Sequence, residues 1–151
     1  MSDLVINGHQ QLTNQTSALF ALNQFYHAFN QRNLMAVKQN WWHSDNAIMS
    51  NPLGGIKRGW NQIEDVYDRL FHGHAKVFVE FHDFNYSETE TCAVFIGRER
   101  GWVRSGDVQL DLAIRTSRVF FKIESQWRQV HHHGSIDNAE LLANYQKFVV
   151  R

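Results

Sequence analysis

The side chains in this sequence whose type and spacing could do chemistry are two arginines, Arg98 and Arg118, and the consecutive histidines His131, His132 and His133. A guanidinium presents a planar fork of donors that suits a carboxylate. An imidazole titrates near neutrality and can serve as acid, base or metal ligand. His131 and His133 form an H-x-H pair, and His72 and His74 form a second. Neither pair has a third ligand at diagnostic spacing, so no metal site or metal cofactor is expected. No nucleophile–base constellation, phosphate loop or nucleic-acid motif accompanies them.

Strand alternation assigns each of these residues a face. In "CAVFIGRER", Cys92, Val94, Ile96 and Arg98 fall on one side, so Arg98 closes a largely apolar stripe. In "LDLAIRTSRVF", Leu110, Leu112, Ile114, Thr116, Arg118 and Phe120 share a side, which Arg118 interrupts. Each arginine either snorkels to water from near a strand end or enters a common cavity and binds an anion there. In "WRQVHHHGS", Arg128, Val130 and His132 face one way; Trp127, Gln129, His131 and His133 face the other. Val130 makes its own side the core side and gives His132 to the cavity, although Trp127 argues the reverse.

The elements that position these residues follow from periodicity. "TSALFALNQFYHAFNQRN" sets Ala18, Leu22, Phe25, Tyr26 and Phe29 at helical spacing, and a shorter helix follows through Leu34, Val37 and Trp41. "NAIMSNPLGGIKRG" reads as a short strand and a turn around Pro52. "WNQIEDVYDRLFHG" places Ile63, Val66, Tyr67, Leu70 and Phe71 on one stripe and stops at Gly73. From Ala75 the period becomes two, with four strands near 75–87, 91–104, 108–123 and 126–136 joined by short connections. The tail from Asn138 is compatible with a last short helix. Helices first and a sheet afterwards make an α+β fold.

Composition narrows the partners. The 151 residues are the length of one domain, taken as 1–151, and 11 Phe, 5 Trp and 4 Tyr favour a packed core. Fifteen acids balance fifteen bases, so no pull toward nucleic acid or anionic membrane is expected. The lone Cys92 forms no intramolecular disulfide, and no apolar run approaches the roughly 18 residues of a membrane span. The N-terminus lacks the features of a signal peptide, which points to a cytoplasmic protein.

The order of "FYHAFNQRNLMAV", "NPLGGIKRGWNQI" and "WRQVHHHGS" resembles the nuclear-transport-factor-like superfamily, which includes ketosteroid isomerase and SnoaL-like proteins. The resemblance implies a curved, antiparallel or mixed sheet wrapped as a cone around the N-terminal helices, a pocket inside, and often a homodimer across the sheet. "SRVFFKIESQWRQVHHHGS" is also similar to the association domain of calcium/calmodulin-dependent protein kinase, at Arg118, Val119, Trp127, Val130, His131, His133 and Ser135. Arg98 falls where that domain carries another pocket arginine. Gly134 stands in place of a further arginine, Ile63 in place of a helix histidine, and His132 where an apolar residue is usual. Ketosteroid isomerase chemistry needs a carboxylate base, and its position here is Asn51, which cannot abstract a proton as a carboxylate does. The helix tyrosine of that enzyme falls on Phe25, with Tyr26 beside it, and its second donor on Ser117.

The combined expectation is a homodimeric α+β barrel that binds a small organic molecule, a carboxylate if both arginines converge on it. Arg98 and Arg118 would hold the anion, His132 would assist, and Tyr26, Asn51, Ile63, Tyr67 and Phe71 would line the pocket. The alternatives are a small lyase, isomerase or hydratase with His132 as acid or base, and an oligomerisation module.

Overall fold

A computed structural model describes residues 4–150. Its elements run α1 (Ala18–Asn30), α2 (Leu34–Asn40), β1 (Ile48–Ser50), β2 (Lys57–Arg58), α3 (Trp60–His72), β3 (Lys76–Glu88), β4 (Cys92–Ser105), β5 (Val108–Ile123), β6 (Gln126–Ser135) and α4 (Ala139–Val150). Side-chain caps fix where the first helices begin. The Ser17 hydroxyl accepts from the Phe20 amide, and the Asn33 amide oxygen from Ala36 N. Arg32, in the left-handed region at φ 55, turns the chain between α1 and α2. Its guanidinium donates to the carbonyls of Phe71, Gly73 and Ala75, capping the C-terminal end of α3.

The six strands form one mixed sheet in the order β2-β1-β6-β5-β4-β3. Strands β3 to β6 are the expected antiparallel meander, and β1 joins β6 in parallel. The sheet curves around the helices as a cone but does not close: β2 and β3 are its two edges, so the expected barrel is an open one. Two irregularities bend it. In β3 the register shifts between His82 and Asn85, with Asp83 at φ 49. In β6 Val119 pairs with His131 but Phe120 with Gln129, leaving Val130 as an extra residue.

The core fills the concave side. Leu22, Phe25, Tyr26 and Phe29 of α1 and Ile63, Tyr67 and Leu70 of α3 pack against Val77, Val79, Phe81, Phe95, Ile114 and Phe120 of the sheet. At Gly101 a Cβ would lie 1.9 Å from the Phe78 carbonyl oxygen, so only glycine lets β3 and β4 approach there. Among the described residues no helix is long and apolar enough to cross a membrane.

Candidate functional site

The bulge at Val130 resolves the conflict between Val130 and Trp127. Before it, Trp127 and Gln129 face the core; after it, His132 and Gly134 do. Both residues that competed to define the core side are buried, because the strand changes phase between them. His132 therefore points inward, as expected, while His131 is half-buried and His133 exposed on the convex face.

The phase of β4 is the opposite of that expected. Ala93, Phe95, Glu99 and Val103 face the core, whereas Ile96 and Arg98 are exposed. Arg98 thus lies on the convex face, away from the other predicted residues. In its place the strand delivers Glu99, 4% exposed, to the inside. Sequence reading missed this residue because both faces of β4 carry aliphatic side chains.

Glu99 is the partner of Arg118. The Arg118 Nη2 donates to Glu99 Oε2 at 2.9 Å, Nη1 to Gln129 Oε1 at 2.6 Å and Nε to the Tyr26 hydroxyl at 3.1 Å. Tyr26 in turn donates to the same Glu99 oxygen at 2.6 Å. The Gln129 amide Nε2 donates to Asn40 Oδ1, and Asn40 donates to the Ala21 carbonyl, so the chain of bonds ends on α1. The guanidinium also stacks 4.0 Å from the centre of the Phe25 ring. Burial alone would lower the Arg118 pKa, but the oxygens of Tyr26, Glu99 and Tyr67 outweigh it and hold the group charged. Burial, reinforced by the Glu99 charge, pushes the Tyr26 phenol well above its usual range. The Tyr67 phenol is pushed up to about 12, chiefly by burial, and accepts a hydrogen bond from Trp41 Nε1 at 3.3 Å.

His132 completes the arrangement. Its Nδ1 is 3.3 Å from the Ser117 carbonyl oxygen, which can only accept, so Nδ1 carries the proton and Nε2 keeps a lone pair. Burial first, and then the Arg118 charge, hold its pKa well below the usual value and keep the ring neutral. No hydrogen bond to Nε2 is formed among the described residues. A Cβ at Gly134 would sit 3.3 Å from Nε2 and 3.1 Å from Pro52 Cδ, so the glycine makes room for both.

Arg118, Glu99, His132, Tyr67, Asn51 and Tyr145 border one cavity of about 50 Å3. Tyr26 stands behind it, reaching it through Glu99 and Arg118, while Ile63 and Phe71 belong to the surrounding core. A larger groove of about 950 Å3 runs outside, between α1, α2 and the β5–β6 turn. Its charged lining residue, Arg128, donates to the Gln39 carbonyl and the Gln126 side chain, whereas the buried charged groups border the inner cavity. Among the described residues no group of three histidine, cysteine or acidic side chains is placed to hold a metal ion.

A cone-shaped mixed sheet with a polar cluster on its concave face agrees with the family comparison. Residues 19–138 match the model of the SnoaL-like domain. The chain belongs to that family. Its solved structural neighbours share the fold at low identity. A Thiobacillus denitrificans chain described as a calcium/calmodulin-dependent protein kinase type II association domain superposes with TM-score 0.69 at 20% identity, covering 81% of this chain and 96% of that one. A Streptomyces avermitilis chain described as a dehydratase of the NTF2-like family gives TM-score 0.69 at 17% identity, covering 80% and 93%. A ketosteroid isomerase-like protein from Erwinia carotovora gives 0.67 at 15% identity, covering 84% and 99%. No curated protein matches the sequence. In this SnoaL-like chain, α4 lies wholly beyond the matched residues.

Proposed function

We propose that the concave site binds a small, neutral organic molecule through one hydrogen-bonding group, with His132 as its polar anchor. The observation that carries this is the neutral imidazole bordering the cavity with its Nε2 unpartnered, beside an ion pair that is already closed. A ligand hydroxyl or amide would donate to Nε2, and the rings and aliphatic chains of Phe29, Leu53, Leu70 and Ile114 supply apolar walls. The anion expectation rested on two arginines. Arg98 is outside, and Arg118 is neutralised by Glu99, so a ligand carboxylate would enter beside an existing carboxylate.

Thermal-shift titration of matched neutral and carboxylated ring compounds tests the assignment. Neutral members should raise the melting temperature more than their acids. His132→Leu should weaken binding about tenfold, the worth of one hydrogen bond near 1.4 kcal/mol. Equal affinity in His132→Leu, or a preference for acids lost in Arg118→Met, would overturn it.

A second reading adds turnover. A neutral histidine with a free lone pair next to a buried carboxylate can move a proton, so a lyase, isomerase or hydratase reaction would run through His132. Turnover should then vanish in His132→Gln with the fold retained. We also propose a cytoplasmic homodimer formed across the convex face, where Val94, Ile96, Val119 and Phe121 make an apolar patch with Ile96 57% exposed. Light scattering should report a dimer, and Ile96→Arg a monomer.

A further inference from the structure

The cavity beside His132 measures about 50 Å3, room for a water or two and far below the hundreds of Å3 that ligand pockets occupy. The chain's own α4 supplies part of its wall. Tyr145 projects from it into the cavity, 5% exposed, and borders the same space as Glu99, Arg118 and His132. Burial, with the Glu99 charge added, raises its phenol pKa and keeps the hydroxyl protonated. That hydroxyl makes no hydrogen bond among the described residues, although acceptors border the same cavity.

The helix is attached through side chains: Tyr145 is buried, Leu141, Leu142, Phe148 and Val149 are partly buried against the core, and among the described residues one side-chain hydrogen bond, from Gln146 Nε2 to the Pro52 carbonyl at 3.2 Å, ties α4 to the loop after β1. The segment before it is short, with Asn138 capping the helix through Leu141 N. The six strands and the polar cluster come from elements that precede α4, to whose core α4 adds Tyr145.

We infer that Tyr145 occupies the ligand's seat: α4 is a plug that must withdraw, and the ligand that replaces it carries a phenol-sized hydroxylated ring. This rests on the proposed pocket and names its ligand class. The ring replaces Tyr145 between the apolar walls, and its hydroxyl donates to His132 Nε2 or to the Glu99 carboxylate, bonds that the tethered phenol does not make. Self-occupancy reduces apparent affinity in the intact chain by the fraction of time the seat is open.

The test uses Tyr145→Ala in the full chain, with p-cresol and toluene as probes and circular dichroism as the fold control. p-Cresol should bind the variant at least tenfold more tightly than it binds the parent, and at least tenfold more tightly than toluene binds the variant. Equal binding of p-cresol to variant and parent would overturn the plug. Equal binding of toluene and p-cresol would overturn the hydroxylated class. In either case a retained His132→Leu effect on the neutral panel leaves the pocket assignment standing, and its loss removes that assignment separately. Should Tyr145→Ala not fold, hydrogen exchange on the parent decides: saturating p-cresol should speed exchange of the α4 amides, and unchanged or slower exchange refutes withdrawal.

Discussion

Arg118→Met is the perturbation that tests the site's architecture most directly. The substitution keeps an unbranched apolar stem in place of the Arg118 stem and removes the charge. It deletes donors to Glu99 at 2.9 Å, to Gln129 at 2.6 Å and to Tyr26 at 3.1 Å, all within a cluster where the Arg118 and Glu99 side chains are 4% and 6% exposed. Hydrogen bonds to a charged group contribute about 1.5–3 kcal/mol each, but the whole sum is not lost, because Tyr26 still donates to Glu99. The dominant cost is the carboxylate left buried without its cation, about 3–5 kcal/mol. Urea unfolding followed by the fluorescence of the five tryptophans measures it. With a slope of about 2 kcal/mol per molar urea, the midpoint should fall by about 2 M at unchanged slope. Adding Glu99→Leu removes the stranded charge, so the double variant should be more stable than Arg118→Met alone, with a coupling of about 2–3 kcal/mol. A single-variant loss under about 1 kcal/mol, the range of exposed pairs, would refute a desolvated ion pair. So would strictly additive losses in the double variant.

Two further outcomes follow from the same geometry. The neutral His132 has a folded-state pKa well below its ordinary 6.5, so the unfolded chain takes up a proton at a pH where the folded chain does not. Its contribution is therefore complete above about pH 6.5 and declines as pH falls toward the folded value, with a limiting slope of about 1.4 kcal/mol per pH unit. Burial lowers His131 too, adding a smaller slope of the same sign. His132→Gln should flatten most of this decline in a series of denaturation midpoints from pH 7.5 to 5; an undiminished decline would assign it elsewhere. Gly101→Ala places a Cβ 1.9 Å from the Phe78 carbonyl oxygen, and since backbone must move, a loss of about 3 kcal/mol is expected in the same urea assay. A loss below about 0.5 kcal/mol would show that β3 and β4 do not approach so closely.

The elements themselves were legible because period and punctuation agree. The stripe over Ile63, Tyr67 and Leu70 ends at Gly73, and β3 to β6 lie within a few residues of the alternating segments. Facing was legible only where the two sides of a strand differ. On β5 the inward set of Leu112, Ile114, Thr116, Arg118 and Phe120 alternates with exposed Ala113, Arg115 and Phe121, and expectation and structure coincide. On β6 the parity rule puts His132 with Val130, whereas the bulge separates them in phase. The inward facing of His132 thus coincides with a rule that fails within the same strand. Trp127, which contradicted that rule, was the signal of the irregularity.

On β4 the misassignment has a chemical consequence, because a slip of one residue moves a whole strand's side chains to the other face. It exchanges Arg98 for Glu99 on the inside. Two convergent guanidiniums would have left unbalanced positive charge at the base of the cone and demanded an anionic ligand. One guanidinium and one carboxylate leave a neutral pair whose members satisfy each other at 2.9 Å. The glycines at 97 and 101 mark the inward face: a Cβ at either would strike β3 backbone, at His82 O from 97 and Phe78 O from 101. They flank Glu99 with the same parity and so place the acid inside. An arginine committed to the core by β5 cannot stand there unpaired, and an acid of matching phase on the neighbouring strand answers that requirement. The charge of this cluster is therefore set by the phase of β4 relative to β5.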